Sequence, residues 1–345
     1  MNQPDRTVLA LDAHGGDRGL DVSVPAALQA LAEDPQLEIC LVGDRHSLER
    51  ALAQATQRAD DRSRIHLLHA ESVLGMDASP VQALRRGRDS SLWKAFEAVA
   101  EGRAGACVSG GNTAAMMAVG VKLLGTLPGI QRPALMAYVP RPRGRTGVLD
   151  LGANLNVSAQ QLAQFAVMGS VTASAVEAVE RPRIGLLNVG HEDGKGHETV
   201  REAHALLRSL PLNYVGFVEG HDIFGGKVDI AVCDGFVGNL VLKSSEGLAR
   251  MLLEDLRGTL QGSLRSRLGA ALARPALRRM VARLDPSAHN GAPLLGLDGV
   301  AIKSHGSADR TGMTRAIVEA GREARRKVHK RIEASLREFG LETST

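Results

Sequence analysis

Short apolar segments, many with β-branched residues, recur along the whole chain and are typical of buried strands. Ten such segments lie at residues 7–13, 37–43, 64–70, 104–110, 133–140, 146–152, 183–190, 214–220, 228–235 and 299–306. Ala- and Leu-rich segments with helical spacing lie between most of them, as at residues 22–34, 112–125, 158–180 and 198–210. This alternation predicts a mostly parallel sheet with helices on both faces, which is a three-layer, doubly wound α/β fold.

The domain organisation follows from what interrupts this alternation. Neither an internal repeat nor a Pro/Gly/Ser-rich linker divides the chain, so we predict one α/β domain over residues 1–345. A helical extension at about 240–290 carries few strand signals, and we expect it to project from the core or to pack against a partner. A terminal helix at about 313–338, rich in Arg and Glu, closes the chain.

Composition narrows the functional classes. A chain of 345 residues that is 44% hydrophobic can bury a large core. The cysteines Cys40, Cys107 and Cys233 lie apart in apolar segments, which argues against a disulfide framework or zinc site and fits a reducing compartment. The polar start and the lack of an apolar run of ~20 residues predict a cytoplasmic protein. A net charge of +4 with 3% aromatic residues gives little support for nucleic-acid binding.

Glycine-containing polar loops follow six of the predicted strands, at residues 12–17, 109–113, 150–154, 188–196, 234–239 and 303–309. In open α/β sheets, ligands bind outside the carboxyl ends of the strands. Glycine lets backbone N–H groups approach an anion, although it is also common in ordinary turns. We expect the six loops to converge on one sheet edge and to bind phosphate. The dinucleotide fingerprint GxGxxG is absent after the first strand, and the Walker pattern is absent.

Nine segments, taken in order along the chain, carry a family resemblance. They are LDAHGGD, MDASPVQALRRGRDSSL, SGGNTAAMMA, LPGIQRPAL, VLDLGAN, QFAVMGSV, GLLNVGHEDGKGHE, CDGFVGNLVLKSSEG and IKSHGSAD. Together they resemble the bacterial phosphate:acyl-ACP acyltransferase family, PlsX. His14, His197 and Gly87 depart from the pattern expected of that family, which usually has Met at the first position and Asn at the second.

The resemblance implies a reaction, a fold and partners. The reaction converts inorganic phosphate and an acyl carrier protein thioester to acyl-phosphate for phospholipid synthesis, within fatty acid metabolism. The implied fold is similar to those of isocitrate and isopropylmalate dehydrogenases and of phosphotransacetylases. A homodimer without metal or organic cofactor is expected. Peripheral contact with the inner face of the cell membrane, near the downstream glycerol-3-phosphate acyltransferase, is expected as well.

Three residues are candidates for catalysis of such a transfer. A phosphate oxygen would attack the thioester carbonyl, so the protein would mainly position the reactants and stabilise an oxyanion. Lys195 could stabilise that charge, or could be an ordinary surface lysine. Asn239 could donate its amide to the same centre, or could be the N-cap of a helix that begins near Leu240. His305 could bind phosphate or act as a weak general acid, or could be structural.

The loop residues supply the candidates for phosphate and substrate binding. They are Asp12, Gly15, Gly16, Asp17, Ser109, Gly111, Asn112, Thr113, Asp150, Asn154, Asp234, Gly235, Gly238 and Ser307. Asn112 and Thr113 begin a helix after two glycines and form the best single anion-binding turn. Asp12, Asp150 and Asp234 could orient a cationic or amide neighbour, or could bind turn amides. A magnesium site built from these carboxylates is an alternative that the resemblance opposes.

Cys233 precedes Asp234 and raises the hypothesis of an acyl-enzyme intermediate. The alternation along VDIAVCDG and the lack of an adjacent base favour a buried core thiol instead.

A basic amphipathic segment between Arg257 and Arg283 contains seven arginines and no acidic residue. One interpretation is a helical hairpin that bends at Pro275 and packs in a dimer. We favour a tip that contacts anionic lipid. The contact residues would be Leu268, Leu272, Leu277, Arg278 and Arg279. Acidic acyl carrier protein is the competing partner for the arginines.

Three other functions remain open from sequence. They are a phosphotransacetylase-like enzyme that uses acyl-coenzyme A, a non-catalytic membrane-binding scaffold, and a hydride-transferring dehydrogenase of the related fold.

Overall fold

A computed structural model describes residues 6–55, 62–284 and 290–342. Eleven strands within these ranges form one sheet, in the order β3-β2-β1-β4-β11-β10-β5-β6-β9-β7-β8. Their bounds are β1 Thr7–Asp12, β2 Leu37–Gly43, β3 Ile65–His69, β4 Ala106–Ser109, β5 Ala134–Pro140, β6 Arg145–Leu149, β7 Ile184–Leu187, β8 Tyr214–Val218, β9 Ile230–Val232, β10 Ala292–Leu295 and β11 Val300–Lys303.

The predicted α/β fold is confirmed, and each of the ten apolar segments contains a strand. The sequence prediction missed β10, which has only four residues and includes Pro293. Proline cannot donate a backbone hydrogen bond to a neighbouring strand, so a short segment that contains it gives a weak strand signal.

Twelve helices lie in the described ranges. Their bounds are α1 Leu20–Glu33, α2 Arg45–Ala55, α3 Pro80–Arg86, α4 Ser91–Ala100, α5 Thr113–Leu124, α6 Ala159–Glu177, α7 Glu198–Ser209, α8 Gly220–Gly225, α9 Gly235–Gln261, α10 Leu264–Leu284, α11 Arg310–Arg326 and α12 Val328–Glu338. The predicted terminal helix is thus two helices, which join at Lys327 in a left-handed conformation.

Helices cover both faces of the sheet, as the alternation of side chains along β1 illustrates. Leu9 and Leu11 pack on one face in a cluster with residues of α1 and α11. Ala10, which lies between them, packs on the other face in a cluster with residues of α4 and α5. Side chains alternate between the two faces of a strand, so both faces of this strand are buried. The result is the expected three-layer arrangement.

The sheet contains two blocks of parallel strands that run in opposite directions. The first block is β3-β2-β1-β4-β11, and the second is β6-β9-β7-β8. Strands β10 and β5 lie between the blocks, and the three pairings from β11 to β6 are antiparallel. These three pairings reverse the strand direction. The six glycine-containing loops therefore do not lie along one sheet edge, which corrects the expectation from sequence.

The register nevertheless brings the carboxyl ends of the two blocks to the same level of the sheet. Ile302 of β11 pairs with Pro293 of β10. Leu294 of β10 pairs with Leu135 of β5, so the neighbouring Pro293 is level with Met136 of β5. Met136 pairs with Leu149, the last residue of β6, and Leu149 pairs with Val232, the last residue of β9. The two blocks point toward each other, so loops from both can line one cleft.

Helices α9 and α10 form the projecting hairpin. The predicted extension at about 240–290 begins earlier than expected, at Gly235, and its last residues lie outside the described ranges. Only Gly235 and Gly238 of α9 are buried. The chain turns at Gly262 and Ser263, where the Ser263 hydroxyl accepts a hydrogen bond from the Ser266 amide at 3.0 Å. The predicted bend at Pro275 is wrong, since this proline lies within α10.

Candidate functional site

The loops that follow β1, β4 and β11 interlock at the end of the first block. The Asp17 amide donates to the Gly306 carbonyl at 2.9 Å, and the Ser304 amide donates to the Ser109 carbonyl at 2.8 Å. A side chain at Gly110 would come within 2.9 Å of the Gly15 carbonyl oxygen. Glycine is therefore required where these loops touch. Candidates from three separate loops, including Gly15, Asp17 and Ser109, are thus brought together.

Three buried polar residues lie side by side beneath these loops. Asp12 pairs with Ser109, and Ser109 pairs with Lys303, each on a neighbouring parallel strand. The Ser109 hydroxyl donates to the Asp12 carboxylate at 2.7 Å and accepts from the Gly111 amide at 2.9 Å. Burial raises the pKa of Asp12, against hydrogen bonds that lower it. Asp12 thus orients a hydroxyl, and this hydroxyl orients the glycine turn.

Lys303 is the member of this row that the sequence reasoning missed. Its ammonium group donates to the Gly110 carbonyl at 3.3 Å and to the Ser304 carbonyl. Burial lowers the pKa of Lys303 to about 8, although the negative charges of Asp17 and Asp12 oppose this shift. A charged residue is rarely buried without a partner or a function. A lysine in the last position of an apolar strand was the available signal.

His305 lies at the rim of the same loop and is fixed by its neighbours. Its backbone amide donates to the Asn290 side chain at 2.9 Å, and its Nδ1 is 2.9 Å from the Ser307 hydroxyl. Burial and the nearby Lys243 lower the pKa of His305. A largely neutral imidazole at neutral pH can accept or donate one hydrogen bond to a ligand.

Asn112 and Thr113 lie at the start of α5, as predicted. The Asn112 side chain caps the helix by accepting from the Ala115 amide at 2.9 Å. Its amide group also donates to the Met76 carbonyl at 2.7 Å, which ties in the segment that follows β3. The side chain of Asn112 is therefore occupied by the fold, and the backbone donors of the helix N-terminus are the groups that can face an anion.

In the second block, Asp150 holds the loop that follows β6. Its carboxylate accepts from the Asn154 amide at 2.6 Å, from the Asn154 side chain at 3.0 Å, and from the backbone amides of Leu135 and Ala153. Burial raises the pKa of Asp150 while these hydrogen bonds lower it. Both roles predicted for Asp150 are observed, because it orients the side-chain amide of Asn154 and binds the turn amides of Ala153 and Asn154.

Asp234 is the N-cap of α9, and its side chain accepts from the Val237 amide at 2.9 Å. The interpretation of Asn239 as an N-cap is therefore wrong, because α9 begins one turn earlier than the apolar pattern indicated. Asn239 instead projects from the first turns of α9 and packs against Gly152, where an added side-chain carbon would lie 3.4 Å from its Cβ. It is exposed and available to a ligand.

Gly235 and Gly238 let α9 pack directly on the loop after β6. The Gly235 amide donates to the Asn154 carbonyl at 2.7 Å. A side chain at Gly238 would meet the Asp150 carbonyl oxygen. Cys233, one residue before the cap, is buried, and burial raises the pKa of its thiol well above the usual range. A thiol that resists ionisation is a poor nucleophile, which agrees with the prediction of a core thiol.

The Lys195 loop lies at the end of β7 in the second block. The Asn188 side chain donates to the Lys195 carbonyl at 3.2 Å, and Gly196, at φ +89°, lies against the same side chain. Asp193 lies 3.6 Å from His204 of α7. Lys195 itself is exposed. Within the described ranges, no hydrogen bond or ion pair joins this loop to the interlocked loops of the first block.

Helix α9 connects the two sides. It begins at the end of β9 in the second block, and Lys243 is nine residues beyond its cap, about 13 Å along the axis. The charge of Lys243 lowers the pKa of both Lys303 and His305, which belong to the first block. The third turn of α9 therefore brings Lys243 near the loops of the first block.

The amino-acid sequence is similar to those of known proteins. Residues 7–331 match a sequence profile described as fatty acid synthesis protein. The phosphate acyltransferase of Methylococcus capsulatus is 50% identical over 326 residues, which cover 94% of this chain and 96% of the relative. The phosphate acyltransferase of Nitrosococcus oceani is 50% identical over 95% of this chain and 96% of the relative. The chain belongs to this family. It is therefore a transferase enzyme, and the resemblance stated from sequence is confirmed.

Solved structures support the fold. A phosphotransacetylase from Streptococcus pyogenes superposes with a TM-score of 0.63 at 18% identity and covers 93% of this chain and 94% of its own. The EutD phosphotransacetylase from Staphylococcus aureus gives a TM-score of 0.59 at 15% identity and covers 92% of this chain and 94% of its own. At this level of identity the likeness concerns the fold.

Two of the three departures from the expected family pattern have local explanations. His14 turns away from the interlocked loops, and its Nε2 accepts from the Asp44 amide at 3.1 Å. Gly87 ends α3, where a side chain would clash with the Ala83 carbonyl. His197 occupies the N-cap of α7 but makes no capping hydrogen bond. None of the three side chains forms part of the Asp12, Ser109 and Lys303 row.

No group of three or more His, Cys, Asp or Glu side chains in the part of the chain that the structure describes could hold a metal ion. No helix in the same ranges is both long and apolar enough to cross a membrane.

Proposed function

We propose that this enzyme transfers an acyl group from an acyl carrier protein thioester to inorganic phosphate and releases acyl-phosphate and free carrier protein. In this proposal the acyl-phosphate feeds phospholipid synthesis. The observation that carries the proposal is the strand register, which brings the carboxyl ends of the two opposed blocks to the same level of the sheet. The first set offers glycine amides, a helix N-terminus and a buried lysine, which suit a tetrahedral anion. The second set offers exposed polar side chains for the thioester.

The chemistry requires little proton transfer. A phosphate oxygen attacks the carbonyl carbon, a C–O bond forms, and the C–S bond breaks as the thiolate leaves with its electron pair. Donors fixed in position toward the developing oxyanion stabilise this transition state. We assign this role to Lys195 and Asn239 on the second block. His305 and Ser307 would hold the phosphate from the first block.

The choice of carrier protein over coenzyme A rests on the match to the phosphate acyltransferase family and on the basic hairpin. Helices α9 and α10 carry exposed arginines, including Arg278 and Arg279, which suit an acidic partner or an anionic membrane. Leu268 and Leu272 are 70% and 83% exposed on α10, whereas Leu277 is half-buried. Two exposed leucines with flanking arginines favour membrane contact by the hairpin. A homodimer and a cytoplasmic, membrane-peripheral location belong to the same proposal.

The test is an assay of acyl-phosphate. Purified protein is incubated with acyl carrier protein thioester or with acyl-coenzyme A, each with and without inorganic phosphate. Formation of acyl-phosphate that depends on phosphate and is faster with the carrier protein donor is expected. A clear preference for coenzyme A would replace the proposed donor, and thioester binding without cleavage would reject the reaction.

Substitution of Lys195 by Ala should lower acyl-phosphate formation by about 100-fold, the usual effect of removing one oxyanion donor. The melting temperature should stay close to that of the unchanged protein, because Lys195 is exposed. Lys122→Ala, at an exposed site on α5, is the matched control. Equal loss of activity in both variants would remove Lys195 from the proposed site.

A further inference from the structure

Lys303 combines burial with unused hydrogen-bonding capacity. Lys303 is 8% exposed, and its ammonium group has three N–H donors. Two of them are directed to the carbonyls of Gly110 and Ser304. Among the residues that the structure describes, no other acceptor lies within hydrogen-bond distance of Lys303 Nζ. One donor is therefore available to a ligand at the junction of three loops.

The positive charge of Lys303 favours an anion as this ligand. Lys243 from α9 lies close enough to Lys303 for its charge to lower the pKa of Lys303, although Lys243 also pairs with Glu246 at 3.1 Å. The two lysine charges repel each other, and a bound anion would relieve the repulsion. Of the acidic neighbours, Asp12 is held against Ser109 on the far side of the row, and Asp17 is exposed at the rim. Neither forms an ion pair with Lys303.

We propose that Lys303 is a catalytic residue that binds the phosphate nucleophile through its free N–H and holds it at the end of the first block. This inference rests on the proposed function and assigns the phosphate to one side of the cleft. Lys303 and the amides of the 109–113 loop bind the anion. Lys195 and Asn239, on the other side, face the thioester carbonyl.

The charge of Lys303 gives the site a pH dependence that can be measured without the reaction. With a pKa of about 8, Lys303 is mostly charged at about pH 7 and mostly neutral at about pH 9.5. His305 does not contribute over this range because its pKa is lowered and it is already neutral. Sulfate is the suitable probe, because its charge does not change over this range, whereas phosphate gains charge.

The binding of sulfate to the full-length protein is measured by calorimetry at both pH values. For the unchanged protein, the dissociation constant should rise roughly 30-fold, which is the loss of the protonated fraction of a group with a pKa of about 8. Lys303→Met should bind weakly at both pH values. Lys303→Arg should keep its affinity at about pH 9.5, because the guanidinium remains charged. Lys122→Met should behave as the unchanged protein.

In the acyl-phosphate assay, Lys303→Met should raise the KM for phosphate while leaving the KM for the thioester unchanged. A sulfate affinity independent of pH in the unchanged protein, or an unaltered phosphate KM in Lys303→Met, would overturn the inference. If Lys303→Met does not fold, the same decision rests on the unchanged protein and Lys303→Arg. Failure of the unchanged protein to form acyl-phosphate from any donor would instead reject the proposed function.

Discussion

Burial separates the residues of the cleft that hold the fold from those free to meet a ligand. Both carboxylate oxygens of Asp150 and one oxygen of Asp234 accept from backbone amides, and both ends of the Asn112 side chain bond to the backbone. Lys195 and Asn239 are exposed and make few contacts. Lys303 is the exception, because it is buried and yet retains a donor. The polar residues whose side chains are bonded to the backbone hold the loops in place, and those with free donors can bind a ligand.

His197 gives a prediction at the scale of one residue. It occupies the N-cap of α7 in an extended conformation, at φ −70° and ψ 156°, without a capping hydrogen bond. Asn, which the resemblance led us to expect at this position, can accept from a backbone amide of the first turn. His197→Asn should therefore raise the free energy of unfolding by about 1 kcal/mol in denaturant titrations.

The control for this prediction is His197→Ala, which cannot cap the helix either. It should be as stable as the unchanged protein or slightly less stable. If Asn and Ala give the same stability, the helix end does not depend on this cap.

At the scale of elements, the hairpin of α9 and α10 differs from every other helix pair in how little of it is buried. Its leucines at positions 264, 268 and 272 repeat at intervals of four and form one exposed face of α10. Water-exposed leucines on one face, with arginines beside them, are typical of helices that lie at a membrane surface.

Replacement of both Leu268 and Leu272 by Gln should weaken binding to anionic liposomes at least tenfold, since each leucine side chain contributes about 1.5 kcal/mol or more when buried. Co-sedimentation with liposomes measures this. Acyl-phosphate formation from soluble substrates should be unchanged. Leu206→Gln, at an exposed leucine on α7, is the control. Equal binding by the double variant and the control would reject the membrane role of this face.

At the scale of the whole molecule, the sequence predicted the elements better than their directions. Ten of the eleven strands follow from apolar segments, because burial on both faces leaves a local pattern. The reversal between the two blocks does not, because it depends on β10, a four-residue strand that pairs with residues far away in the sequence. The expectation of one sheet edge failed for this reason.

For the candidate site, the local features were again predicted better than the contacts between distant residues. The loops and their glycines were recognised from local pattern, and the contacts between Gly15, Gly110 and Gly306 agree with it. Lys303 was missed because its importance comes from burial beside Asp12, which no local pattern reveals. The alternative interpretation of Asn239 as a helix cap was wrong because the apolar pattern of α9 starts after its first turn.

The central claim is that the carboxyl ends of the two opposed blocks form one site, with the anion on the first block and the thioester on the second. A crystal structure with inorganic phosphate and an unreactive acyl thioester analogue tests this most directly. The account predicts phosphate within hydrogen-bond distance of Lys303 Nζ, and a carbonyl carbon beside it that Lys195 or Asn239 can reach. Phosphate bound away from Lys303, or an analogue bound on a separate surface, would contradict it.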